Sequence, residues 1–342
     1  MHRRYVTIDV FTDRTFGGNP LAVVLDAEGL TTPQMQSIAT EFNYSETTFV
    51  LPPRDARHTA QVRIFTPRIE VPFAGHPNIG TAVVVAQELE AQAQAQAQAQ
   101  NKNKNKNTGM DMAKGQGQGQ GQGMEPVHRF VFEEAAGLVF IDLLREGGTV
   151  VGAELTVPEA LSVRASVSVD DAAACLSLAS SEIGTTVHAP QVVSVGLPFL
   201  VTEVISRDAL RRAKPDLKTH ERVLPPIGTD SIFAYVRGTA AGALQARCFM
   251  PLDATVEDPA TGSATAATIA LLATLHPERS GEHRWRVEQG VDMGRPSLLL
   301  GRTEKRDGVV AAVRVAGHAV PVMRGTLHIR TVPGEGETRV AV

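Results

Sequence analysis

Two segments of the sequence place a polar residue, a proline and several small residues directly before an apolar stretch: residues 76–82 (HPNIGTA) and 258–264 (DPATGSA). We interpret each as a helix start, with His76 or Asp258 at the N-cap and the proline in the first turn, where its missing N–H group costs no hydrogen bond. Helix starts present unpaired N–H groups and the positive end of the helix dipole, and both favour anions. Two such starts facing each other across a cleft would bind a small carboxylate. The reaction stays open at this point.

Both helix starts belong to an internal repeat. Residues 63–67 (RIFTP) recur as 247–251 (RCFMP), each about ten residues before a helix start. Further upstream, residues 19–23 (NPLAV) have a weaker counterpart in 197–201 (LPFLV). The order of these matches predicts two lobes of similar build, residues 1–157 and 158–342. We also allow for the extreme C-terminal strand to return to the first lobe.

The stretches that follow the two helix starts, residues 82–86 and 264–275, are apolar on every side. A helix without a polar face is buried, so we expect each lobe to wrap its strands around a central helix. Gly80 and Gly262 lower helix propensity near these starts. They indicate either close approach of a bound group or tight packing of helix against strand.

The elements before the first helix start follow from local patterns. Residues 5–11 alternate as a strand, residues 17–20 form a turn, and 21–25 read as a buried strand. A helix with Thr32 at the N-cap and Pro33 at the first position ends at Asn43, and a strand covers about 46–51.

Composition excludes several classes of protein. The 342 residues are 43 % hydrophobic and 20 % charged with a net charge of −4, which suits a core of about two domains. The sequence has no block of Lys and Arg residues of the kind that binds nucleic acid. Neither a signal peptide nor a membrane span is recognisable, so we expect a cytoplasmic protein. Two cysteines, Cys175 and Cys248, make no disulfide framework. Residues 90–123 run through Ala-Gln, Asn-Lys and Gly-Gln repeats, which predicts a disordered, dispensable insert.

Five blocks of sequence resemble the PhzF-like family of phenazine-biosynthesis isomerases, which is similar in fold to diaminopimelate epimerase. They occur in order and cover nearly the whole chain outside the insert: residues 16–23, 43–49, 73–82, 257–264 and 289–297. The resemblance implies an α+β fold of two pseudo-symmetric lobes, each with a curved, mostly antiparallel, barrel-like sheet around a central helix. It also implies an active site between the lobes and a homodimer.

Carried over to this sequence, the family pattern makes Glu46 the general acid and base. His76 and Asp258 become substrate-positioning or proton-relay groups beside it. Further substrate contacts are implied for Asn19, Gly75, Gly80, Thr81, Gly262 and Ser263. A single carboxylate that removes a proton from one carbon and returns it to another needs no cofactor if a dry cleft raises its pKa.

We therefore predict a cofactor-independent isomerase that moves a proton on a small carboxylic acid. Racemisation, epimerisation or dehydration on the same scaffold, and a non-catalytic small-molecule binding or scaffold protein, are the alternatives. Racemases of this fold with two thiols carry a cysteine at each helix start, and this chain has Gly75-His76 and Asp258-Pro259 there. Cys248 reads as a buried core thiol. Histidines such as His283 and His318 show no metal-ligand spacing, so no metal is expected, and no glycine motif suggests a nucleotide.

Overall fold

Both lobes wrap a curved, mostly antiparallel sheet around a central helix, which confirms the predicted α+β architecture. The computed structural model describes residues 1–107, 128–252 and 256–329. Among these residues, no helix combines the length and the apolar character needed to cross a bilayer.

The first lobe contains eight strands and two helices among the described residues. Their bounds are β1 His2–Val10, β2 Asn19–Val24, α1 Thr32–Phe42, β3 Glu46–Leu51, β4 Ala60–Phe65, β5 Glu70–Val71, α2 Gly75–Asn107, β6 Arg129–Glu134, β7 Gly137–Glu146 and β8 Thr149–Thr156.

The second lobe follows with the remaining elements. Their bounds are β9 Ser162–Ser166, α3 Val169–Cys175, β10 Ile183–Gly184, β11 Gln191–Ser194, β12 Pro198–Val204, α4 Arg207–Arg212, α5 Leu217–Val223, β13 Ile232–Arg237, β14 Ala243–Phe249, β15 Glu257–Asp258, α6 Gly262–Leu275, β16 Gly281–Gln289, β17 Ser297–Arg306 and β18 Val309–His328.

The two lobes repeat one topology. In the first, β2 is parallel to β3, β3 is antiparallel to β4, β4 pairs with the short β5, and β6 runs parallel to β4 after the central helix. In the second, β12, β13, β14, β15 and β16 make the same pairings in the same order around α6. The sequence repeat is therefore a structural repeat.

The matched RIFTP and RCFMP segments have a structural explanation. Arg63 lies over the Phe65 ring, 5.2 Å from its centroid, and pairs with Glu70 at 2.6 Å. Arg247 lies over the Phe249 ring at 4.7 Å and pairs with Glu257 at 2.7 Å. Each arginine thus joins the strand before the helix to the short strand that leads into it.

The long strand β18 joins the lobes. It pairs with β17 of the second lobe, then with β8, and finally with β1 of the first lobe. Through β18 the first lobe closes into a barrel, because β1, β2, β3, β4, β6, β7, β8 and β18 are each hydrogen-bonded to the next and β18 to β1. The boundary at residues 157/158 remains a prediction.

The central helices are buried as predicted. From Ala264 to Ala273 the residues of α6 are at most 6 % exposed, and one hydrophobic cluster includes residues of both α2 and α6. Gly80 lies between strands, because a Cβ there would come within 2.7 Å of Leu21 Cδ2 and 2.8 Å of Val10 Cγ2. Of the two interpretations of Gly80, tight packing is correct.

The predicted insert needs a correction. Helix α2 does not end before the repeats but continues to Asn107, so residues 90–107 are helical where disorder was expected. Alanine and glutamine are good helix formers, and the buried first turns of α2 supply the costly nucleus from which the helix extends. The rest of the insert, residues 108–123, lies outside the described residues.

Both helix starts also differ from the prediction. Helix α2 begins at Gly75, which places His76 inside its first turn, and α6 begins at Gly262 after Thr261. Asp258 is not an N-cap, because its backbone belongs to β15, where it faces Cys248 of β14. The smaller element α1 agrees to within one residue, with Thr31 at the N-cap and Asn43 in the left-handed region at the C-cap.

Candidate active site

The starts of the two central helices meet between the lobes. A Cβ placed on Gly75 would lie 3.8 Å from Gly262 Cα and 3.9 Å from Ser263 N. The prediction that the two helix starts face one another is therefore confirmed. Because glycine occupies both positions, the two backbones approach more closely than side chains would allow.

A cleft of about 500 Å³ opens at this meeting point. Both lobes line it: Glu46, Gly75 and His76 come from the first, and Asp258, Gly262 and Ser263 from the second. Its described lining contains three carboxylic acids, the third being Asp230, but no lysine or arginine. Positive potential for an anionic ligand must therefore come from the helix starts.

Glu46 is the first residue of β3 and faces Leu21 across the parallel pairing with β2. Its side chain is 19 % exposed, and Oε2 lies 3.5 Å from Nε2 of His76. The start of β3 thus places the Glu46 carboxylate beside the first turn of α2.

The imidazole of His76 is buried, with 6 % of its surface exposed. Burial disfavours the charged ring and lowers the pKa of His76 to about 3, so the ring is neutral at pH 7. Nδ1 lies 3.5 Å from Nδ2 of Asn19. His76 is thus a neutral polar group between Glu46 and Asn19.

Asp258 is also buried but is fully hydrogen-bonded. Its Oδ1 accepts from Asn19 Nδ2 at 2.8 Å and from Ser45 Oγ at 3.4 Å, and its Oδ2 accepts from Thr261 Oγ1 at 2.6 Å. Burial raises the pKa of Asp258 to about 6, although these three donors stabilise the carboxylate and lower it in part. Asp258 therefore changes charge close to neutral pH.

A buried frame of polar groups fixes the Asp258 segment. Gln289 donates from Nε2 to Asp258 O at 2.8 Å and to Thr261 Oγ1 at 3.0 Å, and its Oε1 accepts from Thr261 N at 3.0 Å. Asn19 donates to Ala260 O at 3.0 Å as well as to the Asp258 side chain. Sequence reasoning missed Gln289 and Thr261 as parts of the site, although both lie inside the matched blocks.

The predicted substrate contacts divide into two groups. Gly75, Gly262 and Ser263 line the cleft. Asn19, Gly80 and Thr81 do not: Asn19 holds Asp258 in place, Gly80 packs between strands, and Thr81 is buried with its hydroxyl 2.8 Å from that of Thr48. Gly80 and Thr81 are in the second turn of α2, behind the cleft wall, because the helix begins five residues before Gly80.

Arg295 connects the second lobe to the loop that precedes β2. It donates to Asp9 Oδ1 at 2.6 Å, to Gly17 O at 2.7 Å and to Gly18 O at 2.9 Å. Asp9 is 4 % exposed, and burial raises its pKa against the opposing effect of Phe16 N–H and Arg295. These hydrogen bonds fix the position of the loop before Asn19 relative to the second lobe.

Neither cysteine is part of a helix start, although Cys248 of β14 lies beside Asp258 and Thr261, and both thiols are unreactive because of their surroundings. Both thiols are buried, and burial raises the pKa of Cys175 to about 12 and that of Cys248 well above its usual range. A thiolate is the reactive form, so neither residue supports two-thiol racemase chemistry at neutral pH. The prediction that Cys248 is a core thiol is confirmed.

The register of the repeat identifies what the second lobe has in place of Glu46. Thr47 faces Phe65 and Ile232 faces Phe249, and the two phenylalanines are the matched residues of the repeat. The residues one position earlier, Glu46 and Ser231, therefore correspond. By the same pairing, Val71 corresponds to Asp258.

A family model described as "phenazine biosynthesis-like protein", PhzC-PhzF, matches residues 8–110 and 112–325. The chain is 36 % identical to an uncharacterized isomerase of Mesorhizobium japonicum, over 96 % of this chain and 99 % of that protein. It is 33 % identical to trans-2,3-dihydro-3-hydroxyanthranilate isomerase of Pseudomonas chlororaphis, with the same two coverages.

A solved structure of a Bacillus anthracis phenazine biosynthesis protein of the PhzF family is similar to most of this chain. Its TM-score is 0.75 at 23 % identity, covering 96 % of this chain and 100 % of that one. This likeness shows the shared fold.

Proposed function

The chain belongs to the PhzC-PhzF family of phenazine biosynthesis-like proteins and is an isomerase, and on that premise we propose that it moves a proton between two carbons of a small carboxylic acid. The convergence of Glu46, His76 and Asp258 on one cleft, with Glu46 Oε2 3.5 Å from His76 Nε2, carries this proposal.

Glu46 is the acid and base of the proposed reaction. Its carboxylate takes a proton from one carbon, and the electron pair of that C–H bond becomes part of a conjugated system. The protonated Glu46 then returns the proton to a second carbon, so a C–H bond forms there and the double bond has moved. Substrate and product have the same atoms, and Glu46 ends in its starting state.

His76 supports Glu46 as a neutral hydrogen-bonding group. A charged imidazolium at 3.5 Å would favour the ionised form of Glu46 throughout and make it a poor acid in the second half of the reaction. Because burial keeps the imidazole neutral, the ring can orient the carboxyl group without fixing its charge.

The two helix starts hold the substrate carboxylate. The described lining contains no lysine or arginine, so the donors at the meeting point of the helices are the first-turn N–H groups near Gly75 and Gly262 and the hydroxyl of Ser263. An anion held by fixed dipoles is bound without a mobile counter-charge that could take up the proton.

Asp258 positions the substrate from the second lobe. Its carboxylate is fixed by Asn19, Thr261 and Ser45, and its backbone by Gln289. These groups restrict Asp258 to one orientation, which suits a residue that aligns a substrate more than one that must swing to carry a proton.

The proposal includes three further features. The reaction uses no cofactor, because one carboxylate can perform both proton transfers. The enzyme is a homodimer, as the family resemblance implies, and it acts in the cytoplasm. Membership of the family does not make phenazines its product.

The decisive experiment is a metabolite-extract screen in deuterium oxide. We expect one carboxylic acid to gain deuterium with the parent protein and not with Glu46→Gln. The two proteins are compared at equal concentration, after equal melting temperatures have shown that the variant is folded. If no carboxylate exchanges in extracts of several growth conditions, or if Glu46→Gln exchanges as fast as the parent, the proton-transfer proposal is wrong.

A further inference from the structure

The far end of α6 carries a second cluster of ligand-forming side chains. His276 follows the last residue of α6, Glu278 lies two residues later, and His283 is in β16. One ligand atom from each of the three residues lies within 4.8 Å of the other two. Sequence spacing gave no such indication, because the short loop between α6 and β16 is what brings His283 back to His276.

The segment that holds this cluster is anchored at both ends. Lys305 is 4 % exposed, and its ammonium group donates to the carbonyl oxygens of Ala273, Thr274 and His276 at 2.8 to 3.0 Å. Ser280 Oγ accepts from Asp307 N, and Gly308 N donates to Arg279 O. The backbone around the cluster is thereby fixed before any ligand binds.

The side chains themselves are placed to converge. The rings of His276 and His283 have centroids 4.3 Å apart, and His283 Nε2 lies 3.9 Å from Glu278 Oε2. The His283 side chain is 13 % exposed, and its buried Nε2 has no hydrogen-bond partner among the described residues. A buried ring nitrogen without a partner is a cost that a bound ion would remove.

We propose that His276, Glu278 and His283 bind a divalent transition-metal ion such as Zn²⁺. Two imidazoles and one carboxylate suit Zn²⁺, Ni²⁺, Co²⁺ or Cu²⁺ and not Mg²⁺ or Ca²⁺, which prefer oxygen ligands. Ligand atoms around Zn²⁺ lie closer together than 4.8 Å, and Glu278, whose side chain is 65 % exposed, is free to move inward. Water would complete the coordination.

Two neighbouring groups set the strength of the site. His276 Nδ1 accepts a long hydrogen bond of 3.3 Å from Glu278 N, which an ion bound at that atom would replace. The Lys305 ammonium group donates to His276 O at 2.8 Å, and its positive charge repels a metal ion bound by the neighbouring side chains. Affinity is therefore moderate and not that of a closed structural zinc site.

The site acts on stability and not on the proposed reaction. The 14 residues of α6 separate it from the cleft by about 20 Å at 1.5 Å per residue. A bound ion joins the end of the central helix to β16 and would make the second lobe harder to unfold. This inference stands whether or not the proposed proton transfer is correct.

The test measures Zn²⁺ binding to the tag-free protein by calorimetry, with Co²⁺ absorption as the report on imidazole ligands and the melting temperature as the report on stability. We expect one ion per chain and a melting temperature that rises with Zn²⁺ concentration. His283→Gln and the more exposed Glu278→Gln should each weaken binding by roughly tenfold or more and abolish the rise.

The matched control is His2→Gln. His2 and His328 form another surface pair of histidines, with ring centroids 4.5 Å apart on β1 and β18. We expect His2→Gln to bind Zn²⁺ like the parent. No heat of binding to the parent, or binding that survives in His283→Gln and disappears in His2→Gln, would overturn the proposal.

Discussion

The two lobes share a topology and divide the chemistry of the cleft unequally. The first lobe contributes Glu46 and His76. The second lobe has Ser231 at the position in its sheet that corresponds to Glu46, and Ser263 as the second residue of α6, where α2 has His76. The second lobe contributes Asp258 where the first has Val71. The two lobes thus share one topology but have their titratable cleft residues at different positions in it.

His76 and Asp258, two buried titratable groups of the cleft, also have pKa values shifted in opposite directions. Burial lowers the pKa of His76 to about 3 and raises that of Asp258 to about 6. Both shifts have one cause, because burial disfavours the charged form of either group. At neutral pH the first lobe therefore presents a neutral ring and the second an ionised carboxylate.

The central helices differ at their far ends. Helix α6 ends after 14 residues, where Lys305 binds its last carbonyl groups, whereas α2 continues to Asn107 beyond the barrel. The same start can therefore lead to a capped helix that is buried up to Ala273, or to a longer helix whose distal part, residues 91–100, is exposed.

The largest expected effect is on turnover and comes from removing the Glu46 carboxylate, which the second lobe lacks at the corresponding position. Glu46→Gln keeps the size and a hydrogen-bonding amide but removes the basic oxygen. We expect turnover to fall by about 10² to 10⁴-fold, or roughly 3 to 5 kcal/mol of barrier, with a smaller effect on binding. The measurement is solvent deuterium exchange together with turnover. Ser231→Ala at the matching position of the second lobe should stay close to the parent rate, and equal losses in the two variants would mean that the lobes share the chemistry.

The next prediction separates the lobes by pH. Since the pKa of His76 falls from 6.5 to about 3 on folding, its contribution to stability is present above pH 6.5 and is lost as the pH falls toward 3, by about 5 kcal/mol in all. The pKa of Asp258 rises from 3.8 to about 6, so its contribution is present below about pH 4 and is lost as the pH rises to 6, by about 3 kcal/mol.

Urea unfolding between pH 4 and pH 7 checks both signs. Relative to the parent, His76→Gln should lose less stability on acidification, and Asp258→Asn should lose less on going from pH 4 to pH 7. Two variants with the parent's pH dependence would show that neither group is buried in the folded state.

A smaller effect is expected at the capped end of α6. Lys305→Met keeps the length of the side chain and removes the donor to three carbonyl groups, which should cost about 2 to 3 kcal/mol of unfolding free energy. Arg306→Met is the control next to it, because that side chain is 71 % exposed. If Lys305→Met were as stable as Arg306→Met, something other than Lys305 would end this helix.

The smallest effect is expected from the distal part of α2. Replacing residues 91–123 with a short Gly/Ser linker keeps Glu90, which pairs with Arg145 at 2.7 Å. The removed residues 91–100 are exposed, so the melting temperature should change by less than about 4 °C. Calorimetry measures this directly, and an unfolded or insoluble variant would show that the repeat segment supports the barrel.

The sequence was sufficient for the repeat and for the existence of both central helices, but not for the residues at which those helices begin. The RIFTP and RCFMP segments revealed the duplication, the apolar stretches revealed both central helices, and β3 was placed at Glu46 as observed. The repeat segment was misjudged because composition alone does not show that a buried, already nucleated helix precedes it.

The sequence by itself thus determined the family, the two lobes and the meeting of two helix starts, because periodicity and repetition are visible in neighbouring residues. Only the tertiary structure decided which polar groups touch. Asn19 and Asp258 are 239 positions apart and share a 2.8 Å hydrogen bond, and Asp9 and Arg295 are 286 positions apart and share one of 2.6 Å. Buried polar groups find whichever partners the packed backbones bring within reach, and that proximity is not encoded in any local stretch of the chain.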